Sequence, residues 1–331
     1  MFTGGRLKVS VIIPCHNAEQ WVEAALRSVA AQTHQPHEVI VVSDASTDES
    51  VPIIRNTGIA THLLTVDVRN AAAARNAGIA EATGEWIALL DSDDLWLPHH
   101  LGEAVRLLSN SDDVAYMGHQ AWIDGESAAR TDFAPLYPEV RRSLTDHDFL
   151  ECFKKMYFNH QGVLIRTDVM NEIGGYDPGL RRCHDSDMFL RAVKGRSWTY
   201  NPNVASLYRR GRAGALTGNK VLFRYYFLKS LLKNRAEHSG ALMDEVIAIA
   251  SKRAMGEALA RGSRDEQRQA WEIARGGLSP GSRLVYRMLL SLPDGASAAV
   301  YRARRRPESP ERADAGSPNP FGDTPATRRE G

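Results

Sequence analysis

Three carboxylate pairs of the form Asp-x-Asp stand out in this sequence: Asp91-Ser92-Asp93, Asp146-His147-Asp148 and Asp185-Ser186-Asp187. Two carboxylates at that spacing, at the end of a strand, can turn into one site. They offer hard oxygen ligands suited to Mg²⁺ or Mn²⁺, often shared with substrate phosphates. The same triplets also suit a solvated loop or the first turn of a helix, where backbone N–H groups favour anions. The first pair, extended by Asp94, follows directly on the apolar run Trp86-Ile87-Ala88-Leu89-Leu90, which favours the site reading there. Asp44 precedes Ser46-Thr47-Asp48; its carboxylate can open a turn or accept a hydrogen bond from a ligand N–H. Arg75 sits in an alanine-rich stretch, as a solvated helical cation or as one facing a phosphate or carboxylate. His99-His100 follow Pro98 and read as a solvated pair at a helix start. Cys183-His184 stand beside Asp185 without a second such cluster, so zinc is not expected.

The elements that must carry these groups alternate. Val9–Ile13, ended by Pro14, reads as a buried strand, and Asn17 stands where an N-cap belongs before the helical spacing of Trp21, Val22, Ala25, Leu26 and Val29. Glu38–Val42 is a second strand, and Ser46 to Glu49 has capping-box spacing before another helix. Thr61–Val66 is a weaker strand, Ala71–Ala82 a helix closed by Gly84, Trp86–Leu90 a fourth strand and Pro98–Leu108 a helix. Strand and helix in alternation predict an α/β, doubly wound, mostly parallel sheet. Ligands of such sheets bind beyond the carboxyl ends of the strands, where this chain has His16-Asn17, Ser43-Asp44 and Asp91-Ser92-Asp93. Residues 110–215 read as less regular, with short strands and loops.

The chain has 331 residues, 43% hydrophobic and 24% charged, with room for a sizeable core. A net charge of +1 argues against a dedicated nucleic-acid binder. Three distant cysteines exclude a disulfide framework. No signal peptide and no membrane span is expected, which predicts a cytoplasmic protein, at most peripheral on the inner face of a membrane. Charge is uneven: residues 1–220 hold 22 Lys and Arg against 27 Asp and Glu, and residues 221–306 hold 16 against 8. The expected organisation is a catalytic domain over 1–217, a basic helical extension over 218–306 and a disordered tail over 307–331, where five of the fifteen prolines fall. Two stretches of the extension, Val221–Leu232 and Leu284–Leu290 followed by Arg302, Arg304, Arg305 and Arg306, mix apolar and basic residues. They suit core helices with a solvated basic face, or helices that meet a partner or anionic lipid.

Taken in order, the motifs Val9–Asn17, Ser28–Thr33, Glu38–Asp48, Ala74–Gly78, Gly84–Asp94, Gly162–Arg166, Ile173–Asp177 and His184–Arg191 resemble those of family 2 glycosyltransferases, over about residues 8–215. The resemblance implies a GT-A fold and an inverting, metal-dependent transfer from a nucleotide-sugar, with Mn²⁺ or Mg²⁺ as cofactor. Residue by residue it implies that Pro14, His16, Asn17 and Asp44 hold the nucleotide base. Asp91, Ser92 and Asp93 form the acidic motif, with Asp91 and Asp93 as metal ligands and Asp93 nearest the metal. Arg75 lies on the diphosphate side, and Asp185 is the catalytic base, followed by Asp187 and Arg191 in its supporting helix. Three positions depart from the family pattern: His16 replaces an aromatic Tyr, Ala72 a frequent Gly, and His184 a frequent Glu.

The residue types match that chemistry. A diphosphate leaving group gains charge in the transition state, which a cation between carboxylates neutralises. An acceptor hydroxyl must lose its proton as it attacks, which a nearby carboxylate can take. The expected substrates are a nucleotide-sugar, UDP-linked by the weight of the family, and a saccharide or lipid-linked acceptor, in cell-surface polysaccharide or glycolipid synthesis. The alternatives are a nucleotidyltransferase and a non-catalytic nucleotide-sugar-binding protein. No Gly-x-Gly-x-x-Gly follows the first strand, which argues against a dehydrogenase.

Overall fold

Val9–Cys15 (β1) pairs in parallel with strands on both sides, which is why its run of β-branched residues is continuous rather than alternating with polar ones. Val9, Val11 and Ile13 point to one face of the sheet and Ile12 to the other, and each joins a different hydrophobic cluster. The chain is a computed structural model that describes residues 7–125, 130–132, 134–154, 158–211, 219–238, 240–293 and 295–304. The tail expected at 307–331, with Arg305 and Arg306, lies outside the described residues.

After β1 come Val22–Ala30 (α1), Glu38–Asp44 (β2), Ser50–Thr57 (α2), His62–Val66 (β3), Ala71–Ala80 (α3), Trp86–Leu89 (β4), Leu95–Trp96 (β5) and His100–Leu108 (α4). Then follow Ala115–Asp124 (β6), Arg130–Thr131 (β7), Arg141–Leu144 (β8), Asp146–Lys154 (α5), Val163–Arg166 (β9), Thr167–Glu172 (α6), His184–Val193 (α7) and Trp198–Arg210 (β10). The helical part holds Lys220–Asn234 (α8), Ala241–Arg261 (α9), Arg264–Ala274 (α10), Pro280–Ser291 (α11) and Ala296–Arg304 (α12).

The sheet runs β3-β2-β1-β4-β9-β6-β10-β5, with β7 on β6 and β8 on β10. Along that path β9 and β5 run against the other six strands, so the sheet is mostly parallel in direction. The order turns around at β1: β2 and β3 extend to one side and β4 to the other. A crevice opens outside the carboxyl ends of strands at such a switch point. The α1 and α4 side chains cover one face, and those of α3, α5 and α7 cover the other. The α3 helix lies unusually close to the sheet. A Cβ on Gly78 would sit 2.8 Å from Ile12 Cγ2 and 2.9 Å from Val42 Cγ2, so a larger residue there would push the helix out.

Three local expectations are corrected. Residues 110–215 contain the two longest strands, β6 and β10, joined in parallel over ten residue pairs with register shifts around Asn201 and Val204. The Asn201-Pro202-Asn203 interruption hides the period of β10. The Ser46–Glu49 box is not formed, because α2 starts at Ser50 and Asp48 Oδ1 accepts from Ser50 N at 3.1 Å. The His99-His100 pair is not solvated: His100 is fully buried against Trp96, and His99 Nε2 donates to Val204 O at 2.9 Å.

From α8 onward the helices share one core cluster with α5 and α7. Leu228, Leu231, Ile247, Met255 and Leu259 lie in the same cluster as Phe149, Phe153 and Phe189. The apolar stretch at Val221–Leu232 is thus a packing helix.

Candidate active site

The cleft at the switch point encloses about 1060 Å³. All eight residues expected at the donor site line it: Pro14, His16, Asn17, Asp44, Arg75, Asp91, Ser92 and Asp93. They come from the ends of β1, β2 and β4 and from α3, which converge because parallel strands present their carboxyl ends on one side of the sheet.

On the β1 and β2 side, the loops are tied to each other and to the starts of α2 and α3. Asn17, with φ +47°, does not cap α1; its Oδ1 accepts from Thr47 N at 2.8 Å. His16 Nδ1 donates to Asp44 O at 2.5 Å, which makes Nε2 of this exposed ring an acceptor at the cleft, where Asn17 Nδ2 approaches it at 3.5 Å. Asp44 is buried. Its Oδ1 accepts from Val68 N and Arg69 N at 2.8 Å each, and its Oδ2 from Asn70 N at 2.9 Å. The carboxylate thus folds residues 68–70 into the rim of the cleft and keeps one acceptor direction for a ligand. Asn17, Ala45 and Arg69 line the cleft, and Cys183 stands between its lining residues Arg182 and His184; all four hold positive φ without being glycine. Backbone conformations of that kind cost about 1–3 kcal/mol each and persist where the surroundings enforce them.

The acidic turn after β4 is held from three sides. Arg75, delivered by α3, is buried and forms an ion pair with Asp91 Oδ1. Gln161 closes the other side: its Nε2 donates to Asp91 Oδ2 and its Oε1 accepts from Asp91 N, both at 2.7 Å. Arg209 of β10 donates through Nε to Asp93 O at 2.9 Å and through its backbone N to Asp94 Oδ1 at 2.7 Å. Burial alone would raise the Asp91 carboxyl; the Arg75 guanidinium overrides it and holds the group well below the usual carboxylate range. Carboxylate oxygens of Asp91, Asp93 and Asp94 lie within 4.8 Å of one another. This all-oxygen set fits a hard divalent cation. Of the three, Asp91 and Asp93 line the cleft, with Asp91 gripped by Arg75 and Gln161, while Asp94 is fully buried.

Across the cleft stands the start of α7. Asn76 of α3 exchanges two hydrogen bonds of 2.8 Å with the backbone of Tyr176, so the Gly174-Gly175-Tyr176 turn docks on the helix that carries Arg75. Arg75 Nη1 then donates to His184 Nε2 at 2.8 Å, and His184 Nδ1 donates to Leu180 O at 3.2 Å. Burial and the Arg75 charge push His184 down, so a neutral imidazole stands where the family often has a carboxylate. Burial, with Arg75 second, likewise lowers His160 to about 4, and its Nε2 meets the Tyr176 hydroxyl at 2.7 Å. Asp185, half-buried in the first turn of α7, accepts from Ser186 N at 2.9 Å and lies one residue beyond the cleft lining. Asp187 points away. It is fully buried and accepts from Arg191 Nε at 2.9 Å, Lys233 Nζ at 3.2 Å and Asn234 Nδ2 at 2.8 Å, clamping α7 to α8.

Gln161, Arg209, Arg181 and Arg182 were not singled out in the sequence. Gln161 carried a faint signal, the polar run Asn159-His160-Gln161 entering an apolar strand. Arg209 carried none, since its duty depends on β10 reaching the acidic turn. The three cysteines are buried thiols outside any disulfide, and burial pushes Cys15 up to about 11.

A doubly wound sheet that brings an acidic turn, two strand-end loops and a facing helix to one switch point has the GT-A architecture. Residues 10–174 match the family model Glycosyl transferase family 2. An uncharacterized glycosyltransferase of Nostoc sp. is 33% identical over 180 residues, 52% of this chain and 55% of that protein, so the chain spans little more than half of this relative. Staphylococcus aureus TarS 1–349 in complex with UDP-GlcNAc superposes with a TM-score of 0.67 at 18% identity, over 89% of this chain and 90% of that one. A mannosyltransferase of Pyrobaculum calidifontis in complex with GDP-Man and Mn²⁺ gives 0.56 at 18% identity, over 91% and 87%. The chain belongs to the family 2 glycosyltransferases.

Proposed function

We propose that this protein transfers a sugar from a nucleoside-diphosphate sugar to an acceptor hydroxyl, with inversion and with a divalent cation. The observation that carries the reading is the convergence of the base-side loops, the acidic turn and the start of α7 on one cleft. The uridine diphosphate sugar held by TarS supports a UDP-linked donor, and the Mn²⁺ of the mannosyltransferase supports the cation.

In this mechanism the base lies between the Pro14–Asn17 loop and the rim organised by Asp44, where His16 Nε2 and the remaining Asp44 lone pair accept its N–H groups. Asp93, supported by Asp91, would hold the cation, which neutralises charge on the departing diphosphate. Arg75 stays with Asp91 and orients the turn. Asp185 takes the acceptor proton as the hydroxyl attacks; one displacement inverts the anomeric carbon. The acceptor is a saccharide or a lipid-linked saccharide, and the setting is cytoplasmic synthesis of cell-surface polysaccharide or glycolipid. Among the described residues no helix is long and apolar enough to cross a membrane.

The test is donor hydrolysis over a panel of nucleotide-sugars with Mn²⁺ or Mg²⁺, with and without chelator. Metal-dependent release of nucleoside diphosphate is the expected result. Release of pyrophosphate would instead identify a nucleotidyltransferase, and tight donor binding without turnover on any acceptor a non-catalytic binder.

A further inference from the structure

The helix α11 is apolar on both sides. It is capped by Ser279, whose side chain accepts from Ser282 N, with Pro280 in its first turn. One face, Tyr286, Leu289 and Leu290, packs on the core. The opposite face carries Leu284 and Met288, each 62% exposed, with Val285 at 40%. Leu284 and Met288 are four residues apart and form one outward stripe. In the neighbouring α12, Val300 is 37% exposed. Of the six large hydrophobic side chains exposed among the described residues, these two helices hold four. A surface helix with an exposed apolar stripe opposite its packed face has a second surface to meet.

Charge indicates which surface. From Ser279 to Arg306 the chain has six arginines and one acidic residue, Asp294. Arg287 is exposed within the stripe, and Arg283 folds its Nε onto Leu278 O at 2.9 Å beside it. Residues 1–220, by contrast, hold more acidic than basic side chains, 27 against 22. The excess of arginine over acid in this stretch suits an anionic bilayer, and a short apolar stripe flanked by arginines is the chemistry of an interfacial helix.

We propose that the outer face of α11, continued by α12, lies on an anionic membrane surface, with Leu284, Val285 and Met288 entering the headgroup boundary and Arg287 meeting lipid phosphates. The contact is peripheral. It is independent of the donor-site reading, which donor hydrolysis tests separately.

The experiment is sedimentation of the full chain with vesicles of phosphatidylglycerol and phosphatidylcholine, against vesicles of phosphatidylcholine alone, at low and high salt. The protein is expected to sediment with the anionic vesicles at low salt only. Leu284→Gln with Met288→Gln, both at exposed positions and therefore expected to fold, should weaken partitioning about tenfold or more, and Arg287→Glu by about tenfold. Thermal melting and donor hydrolysis of these variants should match the parent. Failure of the parent to sediment, or unchanged sedimentation of the double variant, overturns the proposal. So does a concentration-dependent dimer in sedimentation velocity that the double variant dissolves, which would assign the face to a second copy of the chain.

Discussion

Arg75 and Asp91 form an ion pair inside the cleft wall, with the arginine side chain 6% and the aspartate side chain 27% exposed. The pair couples the helix α3 to the acidic turn after β4, and Gln161 completes the grip from the opposite side. The first acid of the motif therefore serves as a fixed strut, and the second faces the cleft.

Removing one partner of such a pair leaves a charge with no counterpart. Arg75→Met should destabilise the protein by about 3 kcal/mol, and Arg75→Met with Asp91→Leu should recover most of that loss. Chemical denaturation measures both. A single variant as stable as the parent would show that the pair holds nothing.

Asp93→Ala should lower metal-dependent donor hydrolysis by about 100-fold or more. Retained chelator-sensitive hydrolysis would remove Asp93 from the cation's ligands.

Asp185→Asn keeps the size of the side chain and removes its basicity. The turnover number should fall about 100- to 10,000-fold, while calorimetric donor binding stays the same, because Asp185 lies beyond the donor-cleft lining. Equal loss of binding and turnover would make it a donor-site residue instead.

Asp187→Ala should act on stability. It strips a fully buried carboxylate from Arg191, Lys233 and Asn234, at a cost of about 3–5 kcal/mol by analogy with broken buried pairs. A variant with native stability and no turnover would reverse the roles assigned to Asp185 and Asp187.

His100 is buried with neither ring nitrogen hydrogen-bonded, and burial, with His99 second, lowers it from 6.5 to about 3. Between those values the unfolded chain binds a proton that the folded chain does not. Stability is therefore complete above about pH 6.5 and falls with decreasing pH by on the order of 1 kcal/mol per pH unit. His100→Leu should reduce that slope, leaving the share of the three other depressed histidines, His160, His184 and His238. Parallel melting curves for parent and variant from pH 7 to pH 4 would refute it.

The alternation of buried runs and helical spacings in the first hundred residues was sufficient to predict a doubly wound sheet, because period and β-branching are properties of local sequence. The strand-end rule then picked out His16-Asn17, Asp44 and Asp91–Asp93, and these line one cleft. What the sequence alone could not decide was the duty of each polar group, since that depends on which partner arrives from elsewhere in the chain. Asn17 reads as a helix cap and instead holds the loop at Thr47. Asp187 reads as a neighbour of Asp185 and instead clamps α8, because successive residues on a helix point about 100° apart. His100 reads as solvated and is enclosed by Trp96 and Tyr116. Gln161 and Arg209, 70 and 116 residues from the acids they hold, became visible only when β9 and β10 were laid into the sheet. A hydrogen bond is set by distances of a few ångströms, and across such separations only tertiary packing determines them.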